Sequence, residues 1–150
     1  MESECGETYH GKSAFSEPET RAMRDWLTEH KEELKFVINY HAAGNSLVLP
    51  YNGEVSNQFA QENPESSKVM QEIVKESKFP EGMTIGASTE TMGIVAAGDA
   101  GDWINHELHI PAVEAELGLW RSYNEFWFPR SNDIAFKIVS DNLPWLEQLY

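Results

Sequence analysis

Short apolar runs alternate along this chain with stretches of helical periodicity, and few architectures accommodate that order. Lys35 to Tyr40 contains Phe36-Val37-Ile38 and reads as a buried strand ending at Asn39-Tyr40-His41. A second apolar run, Leu47-Val48-Leu49, stops at Pro50. Around these lie the helical segments. Ser16 is placed to cap the first, Glu19 three residues on would complete a capping box, and Met23, Trp26 and Leu27 follow at helical spacing as far as His30. Pro64 to Ser77 sets Val69, Met70, Ile73 and Val74 on one face, whereas Thr84 to Gly101 is rich in glycine, alanine and threonine and reads as a long loop. Asp102 is placed to cap a short helix through Leu108, and Ile110 to Leu117 reads as a strand. Asn132 to Leu149 is expected to form an amphipathic helix built on Ile134, Ile138, Val139, Leu143 and Leu146, with Pro144 kinking or splitting it. The expected class is α/β.

Charge narrows the possible partners. The formal net charge of -14 offers no basic patch for phosphate, which argues against nucleic acid and against an anionic membrane surface. No run approaches the 18 apolar residues of a transmembrane helix, and Met1 to Glu7 is acidic and polar, unlike a signal peptide. The one cysteine, Cys5, fits a reduced compartment or a bond to something outside this chain.

One strand carries an anomaly. Within Ile110 to Leu117, Glu114 and Glu116 stand two residues apart and so project from the same face. Burying a charge costs on the order of several kcal/mol unless it is paired or put to use. His41, at the end of another buried run, raises the same question. One answer is a satisfied core histidine with surface glutamates on an edge strand. Zinc hydrolysis calls for the same constellation, an imidazole on the metal and a carboxylate to take a proton from metal-bound water.

Longer motifs bear on that choice. Cys5-Gly6-Glu7-Thr8-Tyr9-His10-Gly11-Lys12, then Ser16-Glu17, resembles a segment of the zinc metallocarboxypeptidases of the pancreatic A/B type. His41-Ala42-Ala43-Gly44-Asn45-Ser46-Leu47-Val48-Leu49-Pro50-Tyr51 resembles that family's third zinc-ligand segment, and Ala97-Gly98-Asp99-Ala100-Gly101-Asp102-Trp103 its substrate-pocket loop. Glu114-Ala115-Glu116-Leu117 resembles the strand bearing the general base, and Phe128-Pro129, followed by a helix closing on Leu149-Tyr150, fits the family's C-terminus. The resemblance covers 1–150 in order. It implies the C-terminal part of a catalytic domain, with a partial mixed β-sheet flanked by helices.

By this resemblance His41 matches the third zinc ligand and Glu116 the catalytic carboxylate. Asn52, Asp99, Gly101 and Glu114 match positions lining the pocket for the substrate's C-terminal side chain. Glycine at 101 stands where enzymes selecting lysine or arginine use aspartate, but Asp99 and Glu114 bring acid to the same region, so a broad or basic preference is expected. The family binds one zinc ion and acts on peptide C-termini, and its members are of secreted or lysosome-like type. The cysteine matching Cys5 in secreted relatives pairs with one upstream.

Two features depart from the pattern. The family's flexible tyrosine would fall near Met92 to Val95, where Ile94 is the nearest residue. The first two zinc ligands, spaced H-x-x-E, and the substrate-holding arginines and asparagine belong to an N-terminal half with no counterpart here. His30-Lys31-Glu32-Glu33 has the H-x-x-E spacing, but its place between a helix and the strand leading to His41 is the wrong one. His106 and His109, one turn apart, suit an exposed helix end beside Glu107, and His10 has no metal role in the resembling segment. The readings are therefore a partial catalytic domain inactive alone, a non-catalytic binding or structural subunit on the same scaffold, and a split enzyme whose second chain supplies the missing ligands.

Overall fold

A computed structural model describes residues 6, 9, 11–53, 58–118 and 129–149. Cys5, His10 and the Phe128 and Tyr150 ends of the quoted motifs lie outside the described residues. Four strands, β1 (Val37–His41), β2 (Ser46–Val48), β3 (Thr84–Gly86) and β4 (Ala112–Glu116), form one sheet in the order β1-β4-β2-β3. β1 runs parallel to β4, and β2 runs parallel to β3 but antiparallel to β4. The sheet is mixed and flanked by helices, as an α/β class requires.

The two faces of the sheet are covered differently. Strand alternation puts Ile38, Leu47, Ile85, Val113 and Ala115 on one face. They pack with Phe59 of α2 (Phe59–Glu62), Met70 of α3 (Pro64–Glu76) and Trp145 of a C-terminal helix, together with Tyr51 and Phe79. On the other face Val37 and Ala112, at the start of β1 and β4, pack with Leu27 of α1 (Pro18–Glu29) and with Trp103, Ile104 and Leu108. Further along that second face the strands carry Asn39 and His41, Ser46 and Val48, and Glu114 and Glu116. All of these but Val48 are polar, and the Asp99–Gly101 turn closes over Glu114.

Several local expectations are corrected. The residue before α1 is Glu17 rather than Ser16, and its side chain makes no capping hydrogen bond; Ser16 Oγ donates to the Glu17 carboxylate, and Pro18 fixes the first turn. The stretch from Thr84 to Gly101 holds β3 and the one-turn helix α4 (Ser88–Thr91). Asp99, not Asp102, caps the next helix, α5 (Ala100–Trp103), accepting the Asp102 N–H at 3.0 Å; the chain continues as a π-helical turn over Ile104–Leu108. In α3 Met70 is buried with Ser66 and Ser67, and Val69 is turned outward.

The C-terminal helix, α6 (Asn132–Leu146), runs through Pro144 and tightens into a 3-10 turn at Glu147–Leu149. Its buried residues are Asn142 and Trp145, whereas Ile134, Val139 and Leu143 are exposed and Phe136 is 72% exposed. Trp145 Nε1 donates to Asn142 Oδ1 at 2.9 Å, and Asn142 Nδ2 donates to Ile138 O at 2.8 Å. Each polar atom has its partner, so burial costs little. Among the described residues no helix is long and apolar enough to cross a membrane.

Candidate functional site

Parallel pairing of β1 with β4 sets His41 opposite Glu116 and Asn39 opposite Glu114. On the far side of β4, Ser46 faces Glu116 and Val48 faces Glu114. His41 and Glu116, separated widely in sequence, thus become neighbours at the last rung of the ladder, where Leu117 N–H donates to His41 O at 2.9 Å. The two glutamates share a face, one strand repeat of about 6–7 Å apart. Gly44 permits the tight link between β1 and β2, since a Cβ there would lie 3.3 Å from the Glu116 Cβ and 3.2 Å from Ser46 Oγ.

The environments of the two carboxyls differ. Glu116 is half-buried, and burial raises its pKa while the nearby His41 holds it down. Glu114 is 4% exposed, and its pKa is pushed up to about 9. Burial is the largest cause, followed by the charge of Asp99 and a hydrogen bond with it; the Gly101 N–H, donating to Glu114 Oε1 at 3.0 Å, opposes the shift. That shift favours the protonated form of Glu114 at neutral pH.

The Asp99–Gly101 turn lies on Glu114 because residue 101 has no side chain. A Cβ at Gly101 would stand 2.4 Å from Glu114 Oε1 and 2.8 Å from Oε2, well inside contact distance. Beneath the turn, the fully buried Asn105 donates from Nδ2 to both Gly101 O and Ala112 O, tying α5 to β4. The Asp102 carboxylate accepts the Asn52 N–H (2.9 and 2.8 Å to its two oxygens) and the Gly53 N–H (2.8 Å). Asn52 Oδ1 in turn accepts the Ser88 N–H at 2.9 Å, and its carbonyl accepts the Ala96 N–H. Asn52, Asp99, Gly101 and Glu114 therefore meet in one buried network, next to the His41–Glu116 rung on the same sheet face. Ile94 is half exposed and its carbonyl accepts the Ser88 hydroxyl.

The other histidines have separate partners. His30 Nδ1 lies 3.3 Å from Glu33 Oε1 at the end of α1. His106 Nδ1 lies 3.1 Å from the Tyr51 hydroxyl, which also accepts from Asn63 Nδ2. His109 takes a left-handed backbone conformation (φ 56°) that ends the π turn.

The sequence profile described as zinc carboxypeptidase matches residues 1–137. The chain belongs to the zinc carboxypeptidase family. A carboxypeptidase B of Helicoverpa zea is 30% identical over 132 residues, covering 85% of this chain and 30% of the relative. A zinc carboxypeptidase of Simulium vittatum is 28% identical over 131 residues, covering 87% and 43%. Among solved structures, bovine thrombin-activatable fibrinolysis inhibitor in complex with tick carboxypeptidase inhibitor aligns with a TM-score of 0.68 at 23% identity, covering 95% of this chain and 47% of that one. The carboxypeptidase A of Helicoverpa armigera gives 0.65 at 21% identity, covering 93% and 34%. This chain thus spans less than half the length of these relatives.

The family name implies zinc, which takes three protein ligands and an open position at a catalytic centre. Among the described residues no three of His, Cys, Asp and Glu converge to hold a metal ion. His41 is one imidazole, with Glu116 opposite and Asn39 two residues back on the same face. The described donor set does not fit a catalytic zinc ion. Three residues that organise the site were missed in the sequence. Asp102 was read as a cap, and Ser88 lay in an expected loop. Asn105 gave no signal, because an asparagine bridging a turn to a strand has no characteristic spacing.

Proposed function

We propose that this chain works as a binding or structural subunit on a carboxypeptidase scaffold and does not hydrolyse peptides by itself. The donor set carries this reading: catalytic zinc needs three protein ligands, and the described residues bring no such group together. The feature that would face a partner is the exposed His41 and half-buried Glu116, backed by the largely buried network of Asn52, Asp99, Gly101 and Glu114. Peptide C-termini, with a broad or basic side-chain preference, are the partners it would suit. The similarity to a carboxypeptidase B supports that class of partner.

A second reading draws on the His41–Glu116 register itself. In it the chain is the C-terminal part of a metallocarboxypeptidase catalytic domain of secreted or lysosome-like type. His41 would be one zinc ligand, Glu116 the proton acceptor, and the remaining ligands would come from polypeptide beyond this chain or from a partner chain. The chain spans 30% of the Helicoverpa zea relative and 47% of the bovine structure, which leaves room for ligands from further polypeptide.

Elemental analysis after dialysis and turnover of peptides ending in lysine or phenylalanine, each on the chain alone and on the chain co-expressed with the N-terminal half of a zinc carboxypeptidase, separate the two. The first reading expects zinc well below one per chain and no released amino acid. One tightly held zinc per chain, with release abolished by Glu116→Gln, would refute it in favour of the second.

A further inference from the structure

Glu114 Oε1 accepts the Gly101 N–H, but Oε2, equally buried, has no hydrogen-bond donor among the described residues. The side chain that the Glu114 carboxyl interacts with is that of Asp99, two residues before Gly101 in the same turn. Asp99 Oδ1 is already committed to the Asp102 N–H, and an ionised carboxylate accepts without donating. Two ionised acceptors facing each other, one half-buried and the other almost wholly buried, would be unfavourable twice over, through repulsion and through lone pairs left unsatisfied. One proton resolves both difficulties, since a protonated Oε2 donates to Asp99.

Among the described residues no cation is paired with this carboxyl. Asp102, on the same turn, is held by the Asn52 and Gly53 N–H groups. Across the ladder Glu114 meets Asn39 on β1 and Val48 on β2, and the next rung carries Glu116 and His41. Asn105, from the π turn, is engaged with Gly101 O and Ala112 O.

We propose that Asp99 and Glu114 share one proton and so form a clasp that holds the Asp99–Trp103 turn on β4, closed while the proton is retained and opened when alkali removes it. The proposal rests on the fold alone and stands whether or not the chain hydrolyses peptides. The sign follows from linkage. Glu114 has a folded pKa of about 9, above the ordinary 4.5, so its contribution is complete below 4.5 and is lost as pH rises towards 9.

The test is a carboxyl-carbon NMR titration of the full chain from pH 5 to 10, with hydrogen exchange at the Gly101 amide. One glutamate signal, absent from Glu114→Gln, is expected to keep its protonated shift through neutrality and to move only in the alkaline range. The Gly101 protection factor should fall about tenfold between pH 8 and pH 10. In Glu114→Gln the amide donates to Asp99 and the carbonyl accepts from Gly101, so protection should become independent of pH. Should that variant not fold, Asp99→Asn keeps Oδ1 for Asp102 and gives Glu114 a donor, and the Glu114 titration should move to lower pH than in the wild type, with burial still holding it above the ordinary carboxylate range. A wild-type Glu114 titrating with the exposed glutamates would overturn the clasp. So would identical pH profiles of Gly101 protection in wild type and Glu114→Gln.

Discussion

Gly101 sits within a helix, where exchanging glycine for alanine ordinarily stabilises by roughly 0.5–1 kcal/mol. In this protein the sign should reverse. The new methyl would stand 2.4 Å from one carboxyl oxygen of Glu114 and 2.8 Å from the other, with Cδ at 3.0 Å. Relief requires the turn to lift off β4 or the glutamate to swing away, and either movement breaks the 3.0 Å hydrogen bond from Gly101 N–H. Overpacking of this kind costs about 1–3 kcal/mol, and a buried donor left without its acceptor costs about 1–3 kcal/mol more. Less the helix gain, Gly101→Ala should destabilise by about 2–4 kcal/mol. Glu114→Ala removes the obstacle, so adding Gly101→Ala to it should be neutral or slightly stabilising. The coupling, read from urea denaturation of all four proteins at pH 7, should be about 2–4 kcal/mol. Equal effects of Gly101→Ala in the two backgrounds would refute the claim that Glu114 occupies the space residue 101 leaves open.

Two further substitutions probe what holds this region in place. Asp102→Ala removes the acceptor for the Asn52 and Gly53 N–H groups; with charged hydrogen bonds worth about 1.5–3 kcal/mol, a loss of about 2–4 kcal/mol is expected. Faster hydrogen exchange at those two amides should accompany it, and unchanged exchange would show that the clamp is dispensable. Trp145→Ala empties the centre of the larger core, where Trp145 is fully buried beside Phe79 with ring centroids 5.6 Å apart. It should cost about 3–5 kcal/mol in the same urea assay, and a loss under 1 kcal/mol would contradict that placement.

The parts legible in the sequence are those governed by a repeat. Glu114 and Glu116 share a face because strand side chains alternate, and both β1 and β4 fall inside the expected strands. What periodicity leaves undecided is which strands become neighbours. The parallel pairing of β1 with β4, which brings His41 to Glu116, joins segments far apart in the chain. The stretch from Thr84 to Gly101 failed differently, since β3 has three residues and α4 one turn, both shorter than any pattern can register. On α6 the aliphatic count named Ile134, Ile138, Val139, Leu143 and Leu146, of which Leu146 packs against the core and Ile138 is half-buried while Ile134, Val139 and Leu143 are exposed. The buried side is instead set by Trp145 and Asn142, whose mutual hydrogen bond satisfies polar atoms that hydropathy counts against burial. The cap was misassigned for a related reason. Asp99 and Asp102 are both plausible at a helix start, and only the fold shows that Asn52 and Gly53 claim Asp102.

Glu114 and Glu116 are the same residue type on the same strand face, yet their positions separate what each can do with a proton. Glu114 is enclosed by the Asp99–Gly101 turn with further acid behind it, so its proton is held through neutral pH and serves the packing of that turn. Glu116 lies one strand repeat further out, beyond the helix cover, where burial is partial and His41 offsets it. Two carboxyls driven apart in this way are the usual arrangement for assigning separate tasks to separate acids. The described residues bring no third His, Cys, Asp or Glu to the His41–Glu116 rung, so what separates the two glutamates is their packing: the inner acid is fixed by the turn above it, the outer one only by its place on the strand.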